Sequence, residues 1–364
     1  MSRLRIAVIG VGHLGKEHAR ILAGMPQAEL VGVADVNVEH AQTVARRLGC
    51  RAFANYRAFL QLADAVIVAV PTTSHHAVAG EFLRAGIHVL VEKPLAATLD
   101  EAEELVQVAR RHHALLQVGH IERFNPAFEQ LQQYPLQPKF VQCERLGAFT
   151  GRSADTGVVL DLMIHDLDLL LTLVPAPVVS VQALGVSIFG ECEDVANARL
   201  IFADGCVADI TASRASYVAR RCMQIWAPEG YVNVDFATRH LTRVQPSEEV
   251  RRHGLDPRSL DPASRALLKE QLFGRHLQLH TLACNAAADQ LTSELRHFVD
   301  CVQNELQPRV NGADACNAIA LATRILESIR KHQWEGRAGG AVGPCHLPTP
   351  RGVLMPRIAG DAAA

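Results

Sequence analysis

The sequence predicts an α/β protein in two parts. Residues 1–125 read as a doubly wound parallel sheet, and 126–335 as an α+β domain with a large open antiparallel sheet. Three observations predict this. Short apolar runs alternate with helical patterns through the first third, as parallel strands buried on both faces require. A glycine cluster follows the first run directly. After Asn125-Pro126 the runs lengthen and alternate with period two, the mark of half-buried antiparallel strands.

In the first part, Ile6–Ile9, Leu30–Ala34, Ala65–Val70, Val89–Val91 and Leu115–Val118 are the expected strands. Lys16–Ala23, Val38–Leu48, Ala77–Ala85 and Asp100–Arg111 are the expected helices, the last opened by the capping-box pattern Thr98-Leu99-Asp100-Glu101. In the second part, Ala196, Ala198, Leu200 and Phe202 face one way and Asn197 and Arg199 the other. Ala208, Ile210 and Ala212 repeat that pattern after an Asp204-Gly205 turn, and Pro228-Glu229-Gly230 joins Met223–Ala227 to Tyr231–Phe236. Val158–Leu173, Leu291–Gln303 and Ala313–Lys331 read as helices covering one face of this sheet, leaving the other to a partner subunit or to solvent. Residues 245–280, rich in Arg, His and Pro, read as an insertion forming part of a pocket wall. The Gly-, Pro- and Ala-rich stretch 336–364 reads as a mobile tail.

Bulk properties exclude several function classes. A formal net charge of −2 over 364 residues does not suit a nucleic-acid platform. The apolar stretches are too short to cross a bilayer, so no membrane insertion is expected. Nine cysteines without a C-x-x-C pair read as reduced thiols. The first strand begins within five residues of Met1, which leaves no room for a signal peptide and points to a cytoplasmic protein.

The glycine cluster, Gly10-Val11-Gly12-His13-Leu14-Gly15, sits between a strand and a helix, and Asp35 ends the next strand twenty residues later. That order makes a dinucleotide-binding Rossmann turn. Gly10 allows the tight bend, Gly12 lets the backbone approach a pyrophosphate, and Gly15 lets helix and strand pack closely. Asp35 is placed to accept hydrogen bonds from the adenosine ribose. No cation stands beside it, so NAD is favoured over NADP. His13 and Leu14 belong to the turn, and Pro71, Thr72, Thr73 and His75 follow a strand end where the second phosphate and ribose would pass.

Two constellations could carry chemistry. Glu92-Lys93-Pro94 leaves a strand on the ligand side of the sheet, so Glu92 and Lys93 would lie near the nicotinamide. On the helix after Gly157, Asp161 and His165 share a face, with Asp168 near His165. Plainer readings stand beside these: Lys93 as a surface lysine, Asp161 and His165 as a buried pair tying helix to sheet, and Glu122, Arg123 and Asn125 as a cap for a helix at Pro126. His276 and His280 have helical metal-ligand spacing but no acid or cysteine cluster with them, so no metal is expected.

These motifs resemble the Gfo/Idh/MocA family, which includes glucose–fructose oxidoreductase and inositol dehydrogenases. The resemblance runs to about Trp334. It implies that Lys93, Asp161 and His165 line the active site. A finer similarity, through Gln117–Ala127, Ala212–Ser216 and Tyr231–Phe236, is to bacterial UDP-N-acetylglucosamine 3-dehydrogenases. It implies NAD-dependent oxidation of the sugar 3-hydroxyl, upstream of a PLP-dependent aminotransferase in diamino-sugar lipid A biosynthesis. His165 would be the base, Lys93 the oxygen ligand and Asp161 the orienter, with the Lys/His roles reversed as the alternative. Arg123, Asn125 and Arg152 are candidate substrate contacts, with Arg214 and Arg221 further candidates for a diphosphate. The family also implies a homo-oligomer, dimer or tetramer. Competing functions are an inositol, polyol or UDP-sugar-uronate dehydrogenase, and a non-catalytic dinucleotide-sensing regulator.

Overall fold

The apolar runs of the first part assemble as six parallel strands: β1 (Leu4–Ile9), β2 (Ala28–Ala34), β3 (Arg51–Phe53), β4 (Ala65–Val68), β5 (His88–Glu92) and β6 (Leu116–Gly119). Their order is β3-β2-β1-β4-β5-β6, so the direction of strand addition reverses between β1 and β4 and opens a crevice at the carboxyl ends. This arrangement comes from a computed structural model, which describes residues 3–151, 156–190, 192–284, 289–335 and 340–346. Helices α1 (Gly15–Ala23), α2 (Val38–Leu48), α3 (His75–Arg84) and α4 (Leu99–Arg111) cover the two faces. Ile6 and Val8 pack with Leu22 and Val44 on one face, while Ala7, Ile9, Val66 and Val68 pack with Phe82 and Leu105 on the other. Burial on both faces is why these strands show no alternation. The Thr98–Glu101 capping box forms as expected.

The second part forms a nine-stranded sheet. Its strands are β7 (Phe140–Ala148), β8 (Val178–Ser187), β9 (Val195–Phe202), β10 (Val207–Ser213), β11 (Ala215–Ala227), β12 (Gly230–Asp235), β13 (His240–Pro246), β14 (Leu277–Ala283) and β15 (Cys345–His346). They lie in the order β14-β13-β12-β11-β7-β10-β9-β8-β15. Pairing is mostly antiparallel, with parallel contacts between β7 and β10 and between β8 and β15. Both expected hairpins form, and their turn glycines Gly205 and Gly230 take φ of +84° and +135°. The remaining helices are α5 (Pro126–Leu131), α6 (Ile164–Leu173), α7 (Glu248–His253), α8 (Pro262–Gln271), α9 (Gln290–Gln303) and α10 (Gly312–Lys331). Met163, Leu167 and Leu170 join Leu321 and Ile325 of α10 against Ala198, Leu200, Ile210 and Met223.

Four expectations change. First, α9 covers the parallel sheet, with Leu295, Phe298 and Val299 beside Ile6, Val8 and Leu90. Helix α10 joins both layers, Ala315 and Ile319 meeting the first core and Ile325 the second. The chain therefore returns to its first layer after building its second. Second, the helix expected from Val158 begins as a wide π turn at Val159–Met163 before α6. Third, 245–280 forms α7, α8 and part of β14 and lines none of the cavity between the two sheets. His280 lies on β14, so it shares no helix face with His276. Fourth, part of the expected tail is ordered. Trp334 Nε1 donates to the Gly343 carbonyl at 2.8 Å, and β15 extends the sheet at β8. The other tail residues lie outside the described set. Among the described residues no helix is long and apolar enough to cross a membrane.

Candidate active site

The glycine turn has the shape its residues demand. Gly10 has φ +83°, and a Cβ there would lie 2.5 Å from the Ala69 carbonyl oxygen. A Cβ on Gly15 would stand 1.8 Å from the Gly10 oxygen, which forces helix and turn together only for glycine. At Gly12 a Cβ would meet nothing within 4 Å, so the backbone is bare on the side a phosphate approaches. Asp35 is fixed by two main-chain donors: Val11 N–H to Oδ2 at 2.8 Å and Asn37 N–H to Oδ1 at 2.9 Å. Arg46 and Arg47 are in the last turn of α2, away from this carboxylate. The turn and the acid fit NAD. Asp35→Ala removes a charge-assisted contact of about 1.5–3 kcal/mol, so NAD affinity is expected to fall roughly 10- to 100-fold by titration calorimetry. Unchanged affinity would remove Asp35 from the cofactor site.

The turn opens into a cavity of about 720 Å³ between the sheets. His13, Leu14, Pro71, Thr72, His75, Glu92, Lys93 and Asp161 line it, with Arg145, Arg214 and Arg221 on the side of the large sheet. His75 sits between the Pro94 and Val70 carbonyl oxygens, 2.9 Å from each. Burial holds its ring below the usual histidine range, so its one proton serves one carbonyl at a time. Glu92 accepts from buried His18 of α1 at 2.7 Å. Burial opposes the Glu92 charge most strongly, but His18, Lys93 and His75 together outweigh it and keep the carboxyl below its ordinary range. The Glu-Lys-Pro segment is thereby tied to the helix that carries the glycine turn.

Lys93 Nζ donates to the Asp161 carbonyl oxygen at 2.6 Å and to its Oδ1 at 3.0 Å. The main-chain contact comes from the π turn and has no sequence signal. His165, one turn on, is half-buried. Burial, then Lys93 and Arg145, push its ring well below the usual histidine range, so it is neutral at neutral pH.

Asp168 does not serve His165. It takes a bidentate pair from Arg123, at 2.7 and 2.9 Å. Arg123 is therefore buried and committed, and it does not line the cavity. Asn125 is also buried: it caps α5 through Ala127 N–H and donates to Glu122 and to the Phe236 carbonyl. Both occupy structural positions, as the plainer reading allowed. Arg152 lies outside the described residues. Thr73 sits in the short turn after Pro71 without lining the cavity. Arg214 lines the cavity but is held by Asp194 at 2.6 Å and by the Thr156 carbonyl. Arg221 is exposed at the cavity wall and makes no ion pair among the described residues.

Sequence reasoning missed Arg145 and His120. Arg145 donates to Asp166 at 2.9 and 2.8 Å and to Glu122 at 2.8 Å, all three buried. Its signal was available: Val141, Cys143 and Arg145 share the inward face of β7, and a charge there requires partners. His120 directly follows β6 and is buried beside His165.

Comparison with known proteins agrees with this geometry. Residues 4–120 match the domain described as "Oxidoreductase family, NAD-binding Rossmann fold", and 117–233 match the "GFO/IDH/MocA C-terminal domain". UDP-N-acetylglucosamine 3-dehydrogenase of Acidithiobacillus ferrooxidans is 43% identical over 242 residues, 66% of this chain and 77% of that protein. Its solved structure superposes with a TM-score of 0.79 at 34% identity, covering 90% of this chain and 98% of that one. The NAD-dependent scyllo-inositol 2-dehydrogenase of Bacillus subtilis is 26% identical over 350 residues, 90% of this chain and 94% of that protein. With its dinucleotide turn, its Glu-Lys-Pro segment and both domains matched, the chain belongs to the Gfo/Idh/MocA family of NAD-dependent oxidoreductases.

Proposed function

We propose that this protein oxidises the 3-hydroxyl of UDP-N-acetylglucosamine to the 3-keto nucleotide sugar. The observation that carries the reading is the Lys93–Asp161 pair at the wall of a cavity shared with the glycine turn, in a chain 43% identical to an enzyme of that name. Bound NAD supplies the hydride acceptor. Lys93, positioned by Asp161, donates a hydrogen bond to the substrate oxygen as negative charge grows there. Neutral His165 takes the hydroxyl proton. Arg221, at the cavity wall without an ion pair among the described residues, is the cation available to a diphosphate, while Asp194 holds Arg214.

A 3-keto sugar is the substrate class of a PLP-dependent aminotransferase, and in our reading this step comes before amination in diamino-sugar lipid A synthesis in the cytoplasm. The face of the large sheet opposite α6 and α10 carries Trp226 stacked on Phe140 and tilted against Tyr231, with ring centroids 5.1 and 5.2 Å apart. We assign that face to a homo-oligomer contact. The test is NADH formation with UDP-N-acetylglucosamine, with aminotransferase and glutamate present to draw off the ketone. Formation of the 3-amino nucleotide supports the reading. Turnover of inositols instead would keep the family and transfer the substrate to that class, and NAD binding without turnover of any sugar would favour a sensing role.

A further inference from the structure

Three imidazole nitrogens close to Lys93 have no protein partner among the described residues. His120 is 1% exposed, and neither its Nδ1 nor its Nε2 meets a hydrogen-bonding group among the described residues. Its ring stands edge-on to His165, with centroids 6.3 Å apart and planes at 86°. His165 also buries its Nδ1 without a partner, which leaves Nε2 as its open nitrogen. Buried polar atoms nearly always find partners. This separation has room for one water between two ring nitrogens, since each hydrogen bond spans about 2.7–3.2 Å.

The charges around the two rings differ. Lys93, Arg145 and Arg221 all act against a proton on His165, as does His120 itself. His120 faces Arg123 and Lys93, but also Asp168 and Asp314. A proton on His165 is therefore repelled, while one on His120 is partly balanced.

We propose that His120 is the second station of a proton relay that drains His165. The proposal rests on the alcohol oxidation described above. An O–H bond of the substrate breaks and an N–H bond forms at His165 Nε2. The proton on Nδ1 then passes through one water to His120. One proton moves and no electrons do. His120 touches no substrate, so it is a positioning and relay residue.

Two variants separate a relay from a space-filling ring. His120→Phe keeps a ring and removes both nitrogens. His120→Gln keeps a donor and an acceptor but cannot hold an extra proton. For a relay, both variants bind NAD normally, lose about tenfold or more in kcat with KM little changed, and show a larger solvent deuterium isotope effect than wild type. Wild-type kcat and isotope effect in His120→Gln would overturn the relay, and that variant decides the matter if His120→Phe does not fold. A second readout needs no substrate. In ¹⁵N-histidine NMR spectra, wild-type His165 is expected to show a hydrogen-bonded Nδ1 that is altered in His120→Phe. An unchanged His165 spectrum overturns the pairing whatever the substrate proves to be. Inactivity of the wild type on UDP-N-acetylglucosamine counts only against the proposed function.

Discussion

Lys93→Ala is expected to lower kcat about a thousandfold while leaving NAD binding largely intact. In the proposed site the glycine turn and Asp35 would hold the dinucleotide through the backbone and a carboxylate, neither of which Lys93 supplies. What the substitution removes is the only cation bonded to Asp161, through 2.6 and 3.0 Å contacts, among the described residues. Asp161 would then present an uncompensated carboxylate where negative charge must grow on the substrate oxygen. The effect thus combines a lost donor with a gained repulsion, both acting mainly on the transition state. His165→Ala removes the base and is expected to be severe as well. Near-normal turnover in both variants would refute this mechanism. Single-turnover absorbance at saturating NAD is the suitable measurement, because it separates the chemical step from product release.

Arg145→Met is expected to cost about 3–5 kcal/mol of stability, because it leaves two buried carboxyls without their cation. Burial already pushes Asp166 above the ordinary aspartate range, although Arg145 pulls the other way. With Arg145 gone, Asp166 must take up a proton or open the interface between β7 and α6. The sign follows from linkage. An acid whose pKa is raised further in the fold holds its proton more tightly there than in the unfolded chain, so it destabilises the fold at pH above its unfolded-state value, and the penalty in Arg145→Met should grow as pH rises from acid towards neutrality. Urea unfolding at two pH values measures both quantities. A loss below about 1 kcal/mol, independent of pH, would mean that water solvates the pair and that Arg145 is not structurally required.

Sequence reading reached the parts of this structure that depend on local pattern. The glycine turn was legible because each glycine answers a separate steric demand, and α2 runs from Val38 to Leu48, the bounds its helical pattern indicates. The three residues of β3 were not legible, since Arg51-Ala52-Phe53 forms no apolar run and its pairing to Gly32–Ala34 is decided by the neighbouring strand. The return of α9 to the parallel sheet was hidden too. Its apolar face would fit either sheet, and only the long-range path of the chain selects one. At the site, helical spacing suggested that Asp161 and His165 share a face, but it misassigned Asp168. That carboxylate is taken by Arg123, which is 45 residues away in sequence. The orphaned nitrogens of His120 depend on what fails to lie beside them, which no local motif encodes.

The most direct test of the central claim uses UDP-N-acetylglucosamine deuterated at C3, incubated with NAD and the purified protein. Mass spectrometry of the reduced nicotinamide is expected to show the deuterium, because oxidation at the 3-hydroxyl must take its hydride from that carbon. Reduced cofactor without the label would place the oxidation at another position and contradict the account.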